Sequence, residues 1–278
     1  MTAGGTDAAL LQRIEAYFDA APRPAAEVEE HGPFTLFVSR IPWRFYGRPR
    51  RGLSGPVDAD AVLALRARQR ELGVREALEW VAETTPSLAE AAAAAGMRVT
   101  QVPLLAARAD ALRPVVPVPD SAVLRMLGAD DQALPASQDV VDVAFGGVGG
   151  AGSDVGFIRE RIRRGITGVG VAEAGLRGGA VLGAGSHHPV GEVSELTGIG
   201  VLPEARGRGI GAALTALLAA DASAAGATLL VLSAADDAVA RMYERVGFAR
   251  VGTACFGRAA GPPVPHPASS FAAADGLA

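Results

Sequence analysis

The stretch GVLPEARGRGIG, residues 200–211, decides how the second half of this 278-residue chain is interpreted. It joins an apolar segment to an Ala- and Leu-rich segment through a turn that contains three glycines. Glycines let successive backbone N–H groups converge on one point, and the start of a helix adds partial positive charge there. Arg206 and Arg208 add formal charge. The stretch therefore predicts a strand, a diphosphate-binding turn and a helix, although similar turns also occur where no phosphate binds.

The residues after this turn extend the pattern by two strands and a second helix. Residues 228–232, TLLVL, have the β-branched and Leu content of a buried strand, and residues 236–246 repeat apolar positions at helical spacing. Asp236 is placed to cap this helix and Gly247 to end it, before a last strand over residues 248–256. Strands and helices therefore alternate on both sides of the turn.

Two short motifs in this region resemble those of the GNAT acyltransferase superfamily. The motifs are Arg/Gln-x-x-Gly-x-Gly/Ala and Tyr-x-x-x-Gly-Phe, and the chain matches them at Arg206, Gly209, Gly211, Tyr243, Gly247 and Phe248. The resemblance covers roughly residues 119–258. It implies a mixed α/β (α+β) fold with a twisted, mostly antiparallel sheet flanked by helices. It also implies acetyl-CoA as co-substrate, without a metal, and transfer of the acyl group to an amine.

The resemblance also implies which residues bind acetyl-CoA. They lie at a strand end, in the glycine-rich turn and at the start of the later helix: Ile199, Gly200, Val201, Arg206, Gly207, Arg208, Gly209, Ile210, Gly211 and Asp236. The role of Ile199 and Val201 is a backbone role, in which an N–H group near Val201 polarises the thioester carbonyl. Asp236 stands where many members carry Asn, so amide donation to the pantetheine arm is lost while helix capping is retained.

Tyr243 is the predicted general acid. A phenol with an ordinary pKa near 10 stays protonated at neutral pH and can give its proton to the departing CoA thiolate. The alternative is that Tyr243 only packs in the core beside Met242. The Gly247-Phe248 context favours the catalytic interpretation.

Glu195 is the predicted general base. Alternation along a strand over residues 193–201 puts Glu195 on one face with Thr197, Ile199 and Val201, and the carboxylate can accept the proton of the amine. Two alternatives stay open at this point. Glu192 reaches the same face if a bulge intervenes, and a Glu at a strand end is often only solvated.

His187 and His188 are expected on a surface loop that leads into this strand. A histidine there can act as base or contact the substrate, although a solvated surface pair is the commoner arrangement. Adjacent histidines project in different directions, and no further cluster of ligands stands at suitable spacing. The sequence therefore predicts no metal site.

The first half of the chain repeats the order of the second half. It predicts a strand, a helix, a strand, a helix and a strand at residues 34–38, 58–72, 77–82, 86–95 and 98–105. This order is typical of a diverged duplication. The first copy lacks the glycine motif and has Ala92 where the second has Tyr243, so it is interpreted as a degenerate, non-catalytic GNAT-like half. An unrelated α/β module is the alternative.

These observations predict two GNAT-like domains. Their bounds are residues 1–113 for the degenerate domain, 114–118 for a Pro-rich linker, 119–258 for the acyl-CoA-binding domain and 259–278 for a disordered tail. The degenerate domain is expected to shape the acceptor side of the cleft or to bury a sheet edge. An isolated fragment of residues 119–278 is accordingly expected to be poorly soluble or inactive.

Composition narrows the function further. The formal net charge is −4, every one of the 26 basic residues is Arg, and these residues are scattered among acids, which argues against a nucleic-acid surface. The single cysteine, Cys255, excludes a disulfide framework and is expected to be buried in the last strand. We expect a cytoplasmic protein without a membrane segment. Its oligomeric state is left open, with a homodimer as one option.

The sequence thus predicts an N-acyltransferase that moves an acetyl group from acetyl-CoA to a primary amine of a small molecule. A protein amine is an alternative acceptor, because fold and co-substrate do not fix the substrate. A protein that binds acyl-CoA as a sensor or structural element, without turnover, is the alternative from another class. That alternative is motivated by Asp236 in place of the usual Asn and by the choice of general base, which stays open between Glu195 and Glu192.

Overall fold

The computed structural model describes residues 3–42, 44–112, 122–150, 152, 154–175 and 177–259. These residues divide into two compact units. Unit 1 contains residues 3–104 together with residues 251–259, and unit 2 contains residues 105–250. The division differs from the predicted one, because the last strand is assigned to unit 1.

Seven helices and eleven strands form the described chain. The helices are α1 Ala3–Ala20, α2 Ala59–Glu71, α3 Leu88–Ala94, α4 Leu134–Ala144, α5 Gly156–Arg163, α6 Ile210–Ala224 and α7 Asp237–Val246. The strands are β1 Ala26–His31, β2 Phe34–Ser39, β3 Gly47–Pro49, β4 Ala77–Val81, β5 Met97–Arg108, β6 Ala122–Met126, β7 Gly168–Ala174, β8 Val181–Val190, β9 Val193–Val201, β10 Leu229–Ser233 and β11 Ala249–Ala259.

In unit 1 the strand order is β1-β2-β3-β4-β11-β5. Strand β11 pairs antiparallel with β4, with Cys255 opposite Trp80, and this pairing is why the last strand does not belong to unit 2. Leu78, Trp80 and Cys255 bury one side of these strands in an apolar core with residues from α2 and α3. Cys255 is fully buried, as predicted, and burial raises the pKa of its thiol to about 12.

In unit 2 the strand order is β5-β10-β9-β8-β7-β6. Strand β10 runs parallel to β9, whereas β9, β8, β7 and β6 pair antiparallel in succession. Helix α6 packs on one face of this sheet, where Leu214 and Leu218 approach Gly183 and Gly185 of β8. Helix α4 packs on the other face, where Ala144 approaches Gly200 of β9.

The predicted fold class is confirmed: the chain is a mixed α/β protein whose sheet strands are mostly antiparallel and are flanked by helices. The predicted elements of both halves are present, with ends that shift by one to three residues. The predicted linker at residues 114–118 and the tail beyond Ala259 lie outside the described residues. Within the described chain, no helix combines the length and the apolar character that crossing a bilayer requires.

Candidate active site

Strands β9 and β10 diverge within unit 2. Their parallel pairing covers only three positions, and it ends where Glu195 lies beside Val231. Both strands continue past this point, β9 to Val201 and β10 to Ser233. The edge of β9 that faces β10 therefore has no strand partner from Leu196 onward.

A β-bulge interrupts the pairing of β9 with β8 at the same level. Ser186 pairs with Thr197 and Ala184 pairs with Gly200, so one residue of β8 lies opposite two residues of β9. The bulge contains Gly198, whose φ of +60° is in the left-handed region that favours glycine. The register shows the position of the bulge. From the sequence alone, a bulge is considered only as a way to bring Glu192 to the face of Glu195.

The bulge corrects the predicted faces of β9. Directly opposite residues share a face, and Glu195 and Thr197 lie opposite His188 and Ser186. Val201, by contrast, lies opposite Gly183 on the face that α6 covers. The prediction that Glu195 shares a face with Ile199 and Val201 is wrong, because the extra residue in the bulge reverses the alternation.

The backbone of Val201 points to the open edge of β9. The N–H group of Leu202 donates to the Leu182 carbonyl at 2.9 Å, so residue 202 directs its polar groups to β8. Neighbouring residues of an antiparallel pair alternate in this respect, so Val201 directs its N–H and C=O groups away from β8. After the bulge Ile199 has the same orientation. These are the two residues for which the family resemblance implied a backbone role.

The turn after β9 presents unused backbone donors. Gly207 and Gly209 have φ values of +74° and +81°, and Gly209 is the residue before the first turn of α6. Within the described chain, the N–H groups of residues 207–209 donate to no backbone carbonyl. The N–H groups of residues 210–212 lack intrahelical acceptors because they belong to the first turn of α6. Six successive donors thus lie at an electropositive helix end, and the first three belong to exposed residues.

Arg206 does not belong to this set of donors. Its backbone N–H donates to the Pro203 carbonyl at 3.3 Å. Its side chain donates through Nε to the Val201 carbonyl at 3.1 Å and through Nη2 to the Ala144 carbonyl at 3.2 Å. Arg208 donates through Nη2 to the Glu204 carbonyl at 2.7 Å. Both guanidinium groups remain near the turn, so their charge still favours an anion there.

Helix α6 is fixed to the sheet by apolar and polar contacts. Ile210 and Leu214 lie in a buried apolar cluster. Asp221 accepts a hydrogen bond from His187 Nε2 at 2.8 Å, and His187 Nδ1 lies 3.0 Å from Ser194 Oγ. Ser194 has no exposed surface, so its hydroxyl cannot reach a substrate as a nucleophile. The contacts of His187 with Ser194 and Asp221 instead hold α6 against the sheet.

Both histidines correct the predicted surface loop. His187 and His188 lie within β8 and are 2% and 4% exposed. His188 contacts the Thr167 hydroxyl through Nδ1 and the Thr197 hydroxyl through Nε2. Burial, with Arg161 and His187 nearby, holds the pKa of His188 well below its ordinary value, so the ring is neutral at pH 7. Cross-strand pairing rather than solvent explains the positions of both histidines.

Tyr243 is buried in the apolar cluster between the sheet of unit 2 and its helices α6 and α7. It belongs to the same buried cluster as Leu196 and Leu232, which are the first residues of β9 and β10 past their pairing. Its ring packs edge-on against Phe248 at a centroid distance of 6.1 Å. Burial raises the pKa of the Tyr243 phenol well above its ordinary value, so the hydroxyl stays protonated.

Glu195 lies on the other side of β9 from Tyr243. Its side chain is 7% exposed and shares the face of His188 and Thr197, whereas Tyr243 is on the face of α6. The structure therefore places the two predicted catalytic residues on opposite faces of β9. Glu192, the alternative base, lies in the exposed turn between β8 and β9.

Asp236 caps α7 as predicted. Its Oδ1 accepts a hydrogen bond from the Val239 N–H at 2.8 Å. Asp58 caps α2 of unit 1 in the same way, through the Ala61 N–H at 2.9 Å. Helix α2 precedes β4 as α6 precedes β10. The helix of unit 1 that corresponds to α6 thus has a carboxylate at its N-terminus, where α6 has an exposed glycine.

The described residues contain no cluster of three or more His, Cys, Asp or Glu side chains that could hold a metal ion. Sequence reasoning identified the glycine-rich turn, Tyr243 and Asp236. It missed the bulge at Gly198 and the carbonyl contacts of Arg206. The run Leu-Thr-Gly-Ile-Gly at residues 196–200 contains a signal for the bulge, because glycine inside a strand often marks one.

Comparisons with known proteins agree with this geometry. Residues 155–248 match the family model described as the acetyltransferase (GNAT) family, and this segment contains β9, the glycine-rich turn and Tyr243. A comparison with curated protein sequences finds no match. The predicted family resemblance is thereby confirmed for the matched segment.

Solved structures of low sequence identity have a similar fold. A GCN5-related N-acetyltransferase from Kribbella flavida has a TM-score of 0.71 at 22% identity, over 91% of this chain and 97% of its own. A GCN5-related N-acetyltransferase from Sphaerobacter thermophilus has a TM-score of 0.56 at 18% identity, over 73% and 67%. A tandem GNAT protein from the clavulanic acid biosynthesis pathway has a TM-score of 0.50 at 18% identity, over 86% and 85%.

Proposed function

We propose, from the premise that residues 155–248 form a GNAT acetyltransferase domain, that this protein transfers an acetyl group from acetyl-CoA to a primary amine of a small molecule. One observation carries the proposal. An open strand edge with an outward Val201 N–H leads directly into six unused N–H groups at the start of α6. One extended ligand could therefore receive hydrogen bonds at a carbonyl from the strand edge and at a diphosphate from the start of the helix.

The backbone donors of residues 207–212 would hold the diphosphate of CoA. Residues 207–209 are exposed, all six donors lie at the positive end of a 15-residue helix, and Arg208 lies in the same turn. Residues 196–201 of β9 would pair with the amide groups of the pantetheine arm, as an added strand pairs with a sheet edge. When bound, acetyl-CoA supplies an activated acetyl thioester.

Ile199 and Tyr243 would act on the two atoms that gain charge during the transfer. The Ile199 N–H, which has the same outward orientation as that of Val201, donates to the carbonyl oxygen as that oxygen becomes negative. The Tyr243 hydroxyl donates its proton to the departing sulfur. Within the described chain, no side chain or backbone group hydrogen-bonds the Tyr243 hydroxyl, so the proton is available for this transfer.

Glu195 would accept the proton of the amine, directly or through water. Its carboxylate approaches the separated strands from the face opposite to Tyr243, so an acid and a base serve the two sides of the acyl group. His188, on the same face, is the weaker candidate for the base, because both ring nitrogens contact threonine hydroxyls and its lowered pKa makes it a poor proton acceptor.

Unit 1 would not bind a second acetyl-CoA. The Asp58 carboxylate accepts the Ala61 N–H at the start of α2, and its negative charge would repel a diphosphate there. Ala92 stands in α3 where Tyr243 stands in α7, so the unit also lacks the proposed acid. We therefore interpret unit 1 as a degenerate GNAT-like half.

A thiol-release assay tests the proposal. Purified protein is incubated with acetyl-CoA and a panel of small amines, amino sugars, polyamines, amino acids and a lysine-containing peptide, while free CoA thiol is followed. Release that depends on a small amine supports the proposal. Release only with the peptide indicates a protein acceptor. Tight binding of acetyl-CoA with no release under any condition indicates a sensor, and the proposal then fails.

A further inference from the structure

We propose that the Thr197 hydroxyl determines specificity for primary amines, because its oxygen accepts an N–H of the amine substrate while its own proton is held by His188. The inference rests on the proposed function and concerns which amines that function accepts. Thr197 lies on β9 between Glu195, the proposed base, and Ile199, whose N–H is the proposed donor to the carbonyl oxygen. An amine that attacks this carbonyl and gives a proton to Glu195 is therefore next to Thr197.

Thr197 and Glu195 lie side by side on one face of β9. They are two residues apart in the strand, and their partners on β8 are Ser186 and His188. The two side chains are buried to the same depth, at 8% and 7% exposed. The next residue, Gly198, belongs to the bulge, so Thr197 is the last side chain of this face before the alternation reverses.

His188 holds the Thr197 hydroxyl from the neighbouring strand. The ring lies between two threonines: Nδ1 contacts the Thr167 hydroxyl, and Nε2 lies 3.1 Å from the Thr197 hydroxyl. Within the part of the chain that the structure describes, the Thr197 hydroxyl has no other hydrogen-bond partner. The direction of its O–H group is thus decided by which ring nitrogen carries the proton.

A further contact of the His188 ring places that proton. The backbone of Ile166 also hydrogen-bonds the ring and raises its pKa, against the larger effect of burial. The Ile166 N–H donates to the Arg161 carbonyl at 3.0 Å, so the ring meets the Ile166 carbonyl, which can only accept. Ile166 adjoins Thr167, so this carbonyl lies on the Nδ1 side of the ring. The neutral ring therefore has its single proton on Nδ1, and Nε2 accepts the proton of Thr197.

The Thr197 oxygen can then only accept a hydrogen bond from a substrate, as the Glu195 carboxylate does. Two neighbouring acceptors match a primary amine, which has two N–H groups when its lone pair attacks the thioester. As the N–C bond forms and the C–S bond breaks, one of these protons passes to Glu195. The other stays on nitrogen in the amide product and donates to Thr197. A secondary amine has a carbon substituent in that place and loses the contact.

The experiment compares Thr197→Val, which removes the hydroxyl and keeps the shape, with Thr197→Ser, which keeps the hydroxyl. Thr167→Val is the matched control. Thr167 is also a buried threonine in contact with His188, but it precedes β7, two strands away from β9. In this control the Ile166 carbonyl still holds the Nδ1 proton.

Each protein is assayed by thiol release with the most efficient primary amine of the panel and with its N-methyl derivative. Where the derivative is not turned over, its inhibition constant is measured in place of kcat/KM. Calorimetry gives the Kd for CoA, and the melting temperature reports whether each variant is folded. Wild-type protein is assayed first. Absence of release with every small amine defeats the proposed function at that stage, before any variant is made.

The wild type should prefer the primary amine over its N-methyl derivative at least about tenfold. Thr197→Val should lower kcat/KM for the primary amine about tenfold and leave the value for the derivative within about threefold of wild type. Thr197→Ser and Thr167→Val should keep the wild-type selectivity, and every variant should keep the wild-type Kd for CoA within about threefold. Equal efficiency of the wild type with both amines would overturn the inference. Equal losses with both amines in Thr197→Val, or no loss with the primary amine, would overturn it as well.

Discussion

Glu195 and Val201 lie on opposite faces of β9, although six positions separate them along the strand. Simple alternation would put them on one face. The bulge at Gly198 reverses the alternation, so the carboxylate faces His188 and Thr197 while Val201 faces α6. The bulge therefore separates the face that carries the proposed base from the face that α6 covers.

The bulge predicts the effect of Gly198→Ala. An alanine at φ +60° costs about 1–2 kcal/mol, so the substitution destabilises the protein or straightens the strand. We expect thiol release to fall at least about tenfold, since a straight strand changes the direction of the Ile199 N–H, the proposed carbonyl donor. Gly191→Ala is the matched control. Its φ is +57° and nothing lies within 4 Å of the added Cβ, so it should lose similar stability and keep its activity. Equal activity in both variants contradicts the role of the bulge.

Tyr243→Phe removes only the hydroxyl of the proposed acid. The ring contact with Phe248 is retained, so the melting temperature and the Kd for CoA should stay near the wild-type values. We expect kcat to fall about 100-fold, because the thiolate must leave without a positioned proton donor. The rate of thiol release gives kcat, and calorimetry gives the Kd for CoA. An unchanged rate removes Tyr243 from the mechanism.

The raised pKa of Tyr243 predicts the alkaline side of the pH profile. Burial keeps the phenol protonated well above its ordinary pKa near 10, so turnover should not decline through ionisation of Tyr243 as the pH approaches 10. The profile of kcat between pH 8 and pH 10 should therefore have the same shape in wild type and in Tyr243→Phe. A decline near pH 10 that is present in wild type and absent from the variant contradicts the effect of burial.

Substitutions at Asp236 distinguish its role in helix capping from a role in binding the pantetheine arm. Asn caps a helix about as well as Asp, so Asp236→Asn should keep the stability of α7, whereas Asp236→Ala should lose about 1 kcal/mol. The resemblance implies that an amide at this position donates to the pantetheine arm, so Asp236→Asn should also bind CoA more tightly. Thermal unfolding and calorimetry test the two effects independently. An unchanged affinity for CoA in Asp236→Asn would remove Asp236 from the proposed site.

The capping carboxylate of α2 predicts one molecule of CoA per chain. Asp58 accepts the Ala61 N–H where a diphosphate would bind, whereas Gly209 leaves the start of α6 free. Calorimetric titration should give a stoichiometry of one, and Gly209→Ala, with a side chain at φ +81°, should abolish the binding heat. Residual binding of one equivalent in Gly209→Ala would assign the site to unit 1 instead.

The sequence predicted the elements that depend on local patterns. Helix α7 has a capping residue, an apolar stripe and a terminal glycine, and its position was predicted to within one residue. What the sequence missed depends on pairing between strands. His187 and His188 lie beside Pro189, which suggested a loop, but the cross-strand bonds to Ser194 and Thr197 place them inside β8. The separation of β9 from β10 likewise has no local signal.

The contact partners of a charged side chain were also beyond prediction. Arg206 stands in a glycine-rich turn, where positive charge favours an anion, and this position predicted a phosphate ligand. The structure instead joins its guanidinium to the carbonyl of Ala144, a residue 62 positions earlier. Such a contact depends on how closely α4 approaches β9, which is set by packing at Gly200.

Calorimetric titration with CoA and with pantetheine tests the central claim most directly. Pantetheine retains the arm and the thiol but lacks the diphosphate, so only CoA can use the backbone donors at the start of α6. The account predicts saturable binding of CoA and affinity for pantetheine that is weaker by about 100-fold or more. No binding heat with CoA, or equal affinity for both compounds, would contradict it.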